Sequence, residues 1–121
     1  MIKLLLSCEH GGNSIPVAYT SLFSSSAAKE ALASHRGWDW GALDLFKSLK
    51  PLSDAHQVST TTRLLMDLNR SIHNPQITSE FSKPLPMVSK EELFTHYYLP
   101  YRMAIETQIA EWMEEGANVW H

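Results

Sequence analysis

Nearly every position from residue 2 to residue 8 is apolar. A run of this length, followed by Gly11, Gly12 and Pro16, is typical of a strand that is covered on both faces of a parallel sheet. Residues 56–61 also have strand propensity, and so do residues 64–68. Gly116 is expected to end a helix, and residues 117–120 predict a last strand.

Helical patterns lie between these strands. Three serines at 24–26 precede residues 27–34 and predict a capped helix. A second helix is predicted over about residues 38–49, before Pro51, because the apolar residues of this stretch fall on one face.

The second half of the chain predicts a long loop followed by a long helix. The segment between Ile72 and Val88 is rich in proline and polar residues, and loops of this length are often functional or mobile. Ser89 to Glu92 fits a capping box that opens a helix over about residues 90–98. Pro100 is expected to separate it from a helix over about residues 101–115.

The resulting order is strand, helix, strand, long helix, strand. This alternation predicts the α/β class, with a sheet built through right-handed crossovers. The length of 121 residues suits one domain. The last predicted strand begins only a few residues before His121, so we expect the sheet to be incomplete and the chain to be truncated.

Composition narrows the classes of function. The chain is 44% hydrophobic and 19% charged, which is typical of a soluble globular protein, and its net charge of -3 argues against nucleic acid as a partner. No apolar run approaches the roughly 18 residues of a membrane span, so no membrane partner is expected. The single Cys8 cannot form an internal disulfide, which predicts a reducing, cytoplasmic compartment.

The first candidate cluster follows the first predicted strand. In open α/β sheets, ligands bind beyond the carboxyl ends of the strands, where Cys8 to Asn13 would lie. Glu9 and His10 offer a carboxylate and an imidazole, and two glycines let the backbone approach a ligand closely. A purely structural role for this segment is the alternative interpretation.

Two further clusters carry similar chemistry. His35 and Asp39 would share a helical face and are ordinary zinc ligands, although Gly37 allows a break there and Asp39 could instead cap a helix. Arg63, Asn69 and Arg70 form a plausible carboxylate clamp, because guanidinium donors match carboxylate geometry. Strand periodicity would place Arg63, Asn69 and Asp67 on one side, with Asp67 orienting an arginine; an ordinary buried salt bridge is the alternative.

The strings CEHGGNSIP, HRGWDWGA, RLLMDLNR and HYYLPYR, in this order, resemble the N-formylglutamate amidohydrolase family over roughly residues 4–121. The resemblance implies a three-layer α/β/α sandwich with a mostly parallel or mixed sheet, similar to zinc exopeptidases and to aspartoacylase-like enzymes. It also implies a zinc (or other divalent metal) cofactor and hydrolysis of N-formyl-L-glutamate, a small acidic substrate of histidine breakdown, to formate and glutamate.

The resemblance also assigns roles to single residues. His10 would contribute to the metal site, with Asp39 as a second ligand and His35 as the competing choice. The catalytic carboxylate that moves a proton is not assigned by the resemblance; Glu9 is the candidate because it is the one carboxylate next to a proposed ligand in this chain. Substrate binding would fall to the amide and guanidinium side chains of these strings: Asn13, Arg63, Asn69 and Arg70. His96, Tyr97 and Arg102 of the fourth string would line the cleft or pack beneath it.

One departure from the family pattern is informative. Family members are about twice this length and carry a later His-Ser-Phe string whose histidine would supply another metal ligand, and nothing in this chain matches it. We therefore expect the 121-residue chain to be inactive by itself. The alternatives are a zinc amidase of another acyl amino acid or of peptidoglycan, and a non-catalytic remnant that serves as an interaction module through its aromatic residues.

Overall fold

The computed structural model describes the whole chain, from Met1 to His121. Its sheet has three parallel strands in the order β2-β1-β3, with β1 at Ile2–Cys8, β2 at Ala55–Val58 and β3 at Asn118–Trp120. The α/β class predicted from the sequence is confirmed. The register pairs Leu5 with Ala55 and Ile2 with Asn118, so the amino-terminal strand is the central one.

The helices lie mostly where the pattern predicts them. Ser25 accepts a hydrogen bond from the Ala28 amide and caps the first helix. No helix is long and apolar enough to cross a bilayer. The helical elements in chain order are a 3₁₀ helix Val17–Phe23, α1 Ser26–Ala33, α2 Ala42–Leu49, a 3₁₀ turn Lys50–Leu52, α3 Met87–Leu93, a π-helical segment Phe94–Tyr98 and α4 Leu99–Glu114.

Helices cover the sheet on its two faces. Leu5 of β1 belongs to the main core together with Tyr101, Ile105 and Trp112 of α4. Its neighbour Leu6 lines a depression with residues of α2, because successive strand residues point to opposite faces. The sheet therefore lies between α4 and α2.

The predicted strand at residues 64–68 is wrong. This stretch forms consecutive turns, in which the Leu65 amide donates to the Thr62 carbonyl and the Arg70 amide to the Asp67 carbonyl. All five residues are buried, so the alternation expected of a strand is absent. The hydroxyls of Ser79 and Ser82 bond the Leu64 carbonyl in place of a neighbouring strand.

Two helix boundaries also differ from the prediction. The helix predicted from residue 38 begins at Ala42, after Gly41 adopts a left-handed conformation with a φ of 83°. The prediction that a capping box at Ser89 opens the next helix is wrong, since α3 already begins at Met87, after Pro86. Pro100 does divide the hydrogen-bonding pattern as expected, because the π-helical segment ends immediately before α4 and Pro100 occupies its first turn.

The long loop predicted between Ile72 and Val88 ends at Pro86, where α3 follows; residues 72–86 have no regular secondary structure, yet they are firmly attached. The Asp67 amide donates to the Ile77 carbonyl at 2.8 Å, and Ser82 is fully buried. Arg36 and Glu80 join the loop to the end of α1 through an exposed ion pair of 2.6 Å. The loop thus forms a fixed wall over residues 64–70.

Candidate functional site

Two loops meet at the carboxyl edge of the sheet. The segment after β1 runs alongside the segment after β2, and the Gly11 amide donates to the Ser59 carbonyl at 3.1 Å. A Cβ atom on Gly12 would lie 2.8 Å from the Thr60 carbonyl oxygen, so only glycine fits this approach. The close contact of the two loops fixes the backbone that carries His10.

The imidazole of His10 lies between two carboxylates. Its Nδ1 is 3.2 Å from Oδ2 of Asp39, and its Nε2 is 2.7 Å from Oδ1 of Asp67. The Asp39 amide also donates to the His10 carbonyl at 2.9 Å, which locks the two loops together. The sequence interpretation linked Asp67 to an arginine only; its bond to His10 spans 57 residues of chain, and no local signal in the sequence indicates it.

Each of these carboxylates also holds an arginine. Arg63 Nη2 contacts Oδ1 of Asp39, and Arg70 Nε donates to Oδ2 of Asp67 at 3.1 Å. The result is one continuous line of contacting side chains: Arg63, Asp39, His10, Asp67 and Arg70. The predicted ion pair between Asp67 and an arginine is present, and the histidine and the two arginines converge on one place.

Asp67 is the buried centre of this line, with its side chain 8% exposed. Burial raises its pKa, but the hydrogen bonds from His10 and from the Asn69 amide, with the charges of His10 and Arg70, outweigh burial and hold the pKa below its ordinary value. Asp67 is therefore a permanent anion at neutral pH. It fixes the ring orientation of His10 and the start of the Asn69–Arg70 turn.

Arg63 is the more enclosed of the two arginines. Burial lowers its pKa, the charge of Asp67 opposes that effect, and the like charge of Arg70, which lines the same depression, adds to it. The Nε of Arg63 is buried without a hydrogen-bond partner. Arg70 uses only its Nε within the protein, so the rest of its fork is free to donate.

Two depressions flank the cluster. One, of about 250 Å³, is lined by Glu9, His10, Asp39 and Asn69 together with apolar residues of α2. The other, of about 410 Å³, is almost entirely polar and contains Arg63, Asp67 and Arg70 beside Arg36 and Lys83. The imidazole thus faces one depression while the arginines line the other, and Asp67 connects them.

Three other residues predicted from the sequence, Glu9, Asn13 and His35, lie outside the line of contacting side chains around His10. Glu9 lies on the wall of the His10 depression, and its charge raises the pKa of the buried Tyr101 hydroxyl, second to the effect of burial itself. Asn13 donates its side-chain amide to the Leu32 carbonyl at 2.8 Å, which anchors the loop to α1. His35 is exposed and lines a separate depression beside Glu30 and Arg36, so the structure does not bring it to His10.

His10 and Asp39 suit a divalent metal such as zinc. Metal-ligating histidines commonly donate the second ring N–H to a carboxylate, as His10 Nε2 would to Asp67. Nδ1 of His10 and Oδ2 of Asp39 bond each other at 3.2 Å, and they are the two donors that this chain could offer to one ion. Asp67 bonds the other ring nitrogen of His10, Nε2, and is therefore not a third ligand. No group of three or more His, Cys, Asp or Glu side chains is arranged to hold a metal.

Comparison with known proteins places this chain in a family. A search of curated proteins found no match. The crystal structure of gene product Atu2144 from Agrobacterium tumefaciens superimposes with a TM-score of 0.81 and 27% sequence identity, over 97% of this chain and 49% of that one. The chain therefore spans about half the length of that relative. Residues 2–121 match the N-formylglutamate amidohydrolase model, and the chain belongs to the N-formylglutamate amidohydrolase family.

Proposed function

We propose that this chain carries part of the active site of a metal-dependent amidohydrolase, which hydrolyses N-formyl-L-glutamate or a similar small acidic N-acyl amino acid to formate and glutamate. The family membership supports the hydrolase class. The observation that carries the proposal is the position of His10, between Asp39 and Asp67, with an arginine on each carboxylate.

The metal ligands in this chain would be His10 and Asp39. A zinc ion bound there would polarise the acyl carbonyl and make its bound water a nucleophile at neutral pH. Asp67 keeps the imidazole in one orientation through the 2.7 Å bond to Nε2 and leaves Nδ1 facing Asp39. Glu9 lines the same depression, so we assign its carboxylate the transfer of the water proton to the departing amine.

The arginines would hold the substrate. Arg70 has free guanidinium donors beside Asn69, whose exposed side chain lies at the edge of the His10 depression. Arg63 supplies a second cationic group, which a dicarboxylic substrate requires. Because both arginines are already held by carboxylates, little side-chain freedom is lost when a ligand binds, and the amide is oriented beside His10.

The metal assignment is tested by zinc titration of the purified chain. Replacing His10 with Ala removes the imidazole, and we expect zinc affinity to fall at least tenfold. His35→Ala is the matched control, because it removes an exposed imidazole that lies away from the cluster. Equal zinc affinity in wild type and His10→Ala, or a larger loss in His35→Ala, would remove His10 from the metal site.

The substrate assignment is tested with a panel of formyl, acetyl and succinyl amino acids. Two protein ligands hold zinc less tightly than the three of a typical catalytic site, so we expect little or no turnover by the 121-residue chain itself. Binding of N-formyl-L-glutamate should nevertheless exceed that of N-formyl-L-glutamine, which lacks one carboxylate. Turnover at the rate of a full-length relative would contradict the expected inactivity, and equal binding of the two ligands would contradict the dicarboxylate assignment.

A further inference from the structure

We infer that Tyr98, supported by Arg102, is a positioning residue that holds the backbone of Asn69 and Arg70 in place for the ligand; this inference rests on the proposed function. Neither side chain bonds the imidazole of His10 or the carboxylates of Asp39 and Asp67. Both reach the site from beneath, through carbonyl groups of the turn that carries the substrate-binding side chains.

The turn is held at three points. The Tyr98 hydroxyl donates to the Arg70 carbonyl at 2.7 Å, and Arg102 Nη1 donates to the Leu68 carbonyl at 3.4 Å. The Asn69 amide donates to Asp67 at 3.0 Å. Residues 68–70 form no helix or strand, so these side-chain bonds replace the ladder that would otherwise order such a segment.

The side chains of Tyr98 and Arg102 are themselves held firmly in place. Tyr98 is 6% exposed and stacks on Phe94, with ring centroids 5.3 Å apart. Arg102 lies one helical turn further on, with its guanidinium carbon 5.7 Å from the centre of the Tyr98 ring, a distance at which cation–π attraction operates. The two side chains therefore act as one unit against the turn.

The π-helical segment explains how the helix presents this unit. Phe94–Tyr98 is wider than a regular α-helix and ends at the residue whose hydroxyl reaches the turn. An extra residue in a helix changes the face that later residues occupy, and such segments occur frequently at functional sites. Tyr98 is buried at the end of this segment, and Pro100 follows in the first turn of α4.

The test is Tyr98→Phe in the 121-residue chain, which removes only the hydroxyl. We expect the backbone order parameters of Asn69 and Arg70, measured by ¹⁵N relaxation, to fall from about 0.85 toward 0.6, while those of β1 stay unchanged. Affinity for L-glutamate should fall about tenfold, as for a lost hydrogen bond that leaves a carbonyl unpaired. Arg102→Met is a second variant that leaves the hydroxyl in place and should show a smaller change in both measurements.

Tyr97→Phe is the matched control. It removes the same group from the neighbouring residue, whose partly buried ring packs edge-on against Tyr19 and whose hydroxyl makes no hydrogen bond to residues 68–70. Unchanged order parameters at 69 and 70 in Tyr98→Phe would overturn the inference, and so would a loss of order spread evenly over the protein. If wild type itself does not bind L-glutamate, the proposed function fails, but the order parameters still decide the positioning role.

Discussion

Replacing Asp67 with Asn tests the central assumption about the cluster. The carboxylate is 8% exposed and accepts from His10 Nε2 at 2.7 Å, from the Asn69 amide at 3.0 Å and from Arg70 Nε at 3.1 Å. An amide of the same shape keeps one good acceptor and places its NH₂ group against either the imidazole or the guanidinium. The variant should therefore fold but lose one charge-assisted bond and gain an unfavourable contact.

The expected size of the effect follows from burial. Removing one partner of a fully buried ion pair costs about 3–5 kcal/mol, and a hydrogen bond to a charged group contributes about 1.5–3 kcal/mol. Arg70 is 40% exposed and recovers part of its hydration when it is released. We expect a loss of about 2–3 kcal/mol, which for a domain of this size lowers Tm by roughly 10 °C.

Thermal unfolding followed by circular dichroism gives the first measurement, and zinc titration gives the second. Loss of the carboxylate that orients a ligating histidine typically reduces metal affinity about 10- to 100-fold. Asp44→Asn is the control, because Asp44 is exposed on α2. A Tm of Asp67→Asn within about 2 °C of wild type, together with unchanged zinc affinity, would refute the view that Asp67 organises the site.

Three further predictions follow from the same geometry. The pKa of Asp67 is lower in the folded than in the unfolded protein, so its carboxylate contributes its full stabilisation above the unfolded pKa of about 3.9. That contribution is lost as the pH falls through the folded pKa. The difference in unfolding free energy between wild type and Asp67→Asn should therefore shrink below about pH 4 in urea titrations. Gly12→Ala places a methyl group 2.8 Å from the Thr60 carbonyl oxygen and should destabilise the fold by about 1–3 kcal/mol, and an unchanged urea midpoint would contradict this. Arg63→Lys keeps the charge but removes the planar fork and should weaken L-glutamate binding about tenfold by calorimetry. Lys29→Arg, which alters an exposed cation on α1, should have little effect.

The sequence predicted those parts of the fold that depend on local pattern. The apolar run of β1 and the serine cap of α1 are signals contained within a few residues. Residues 64–68 misled the interpretation because they are buried in the core without a neighbouring strand, and serines of the loop at 72–86 bond the Leu64 carbonyl instead. A short run of apolar residues has the same sequence pattern whether a neighbouring strand or a distant loop supplies its backbone hydrogen bonds.

The candidate site likewise contains residues that the sequence could indicate and contacts that it could not. Residue types and the four strings were enough to indicate His10, Asp39, Arg63 and Arg70, which lie together in the structure. Spacing could not choose between Asp39 and His35, since that choice depends on the turn at Gly37. The hydroxyl of Tyr98 reaches Arg70 across 28 residues, and only the three-dimensional arrangement reveals such a contact.

The central position of β1 has a consequence for how the molecule assembles. The amino-terminal strand must pair with a segment from the middle of the chain on one side and with residues 118–120 on the other. Closing such long loops has a large entropic cost before any contact repays it, so the sheet should form late and slowly for a chain of this size. Pulling the last few residues away by force should separate β3 from β1 and leave β1 paired only to β2.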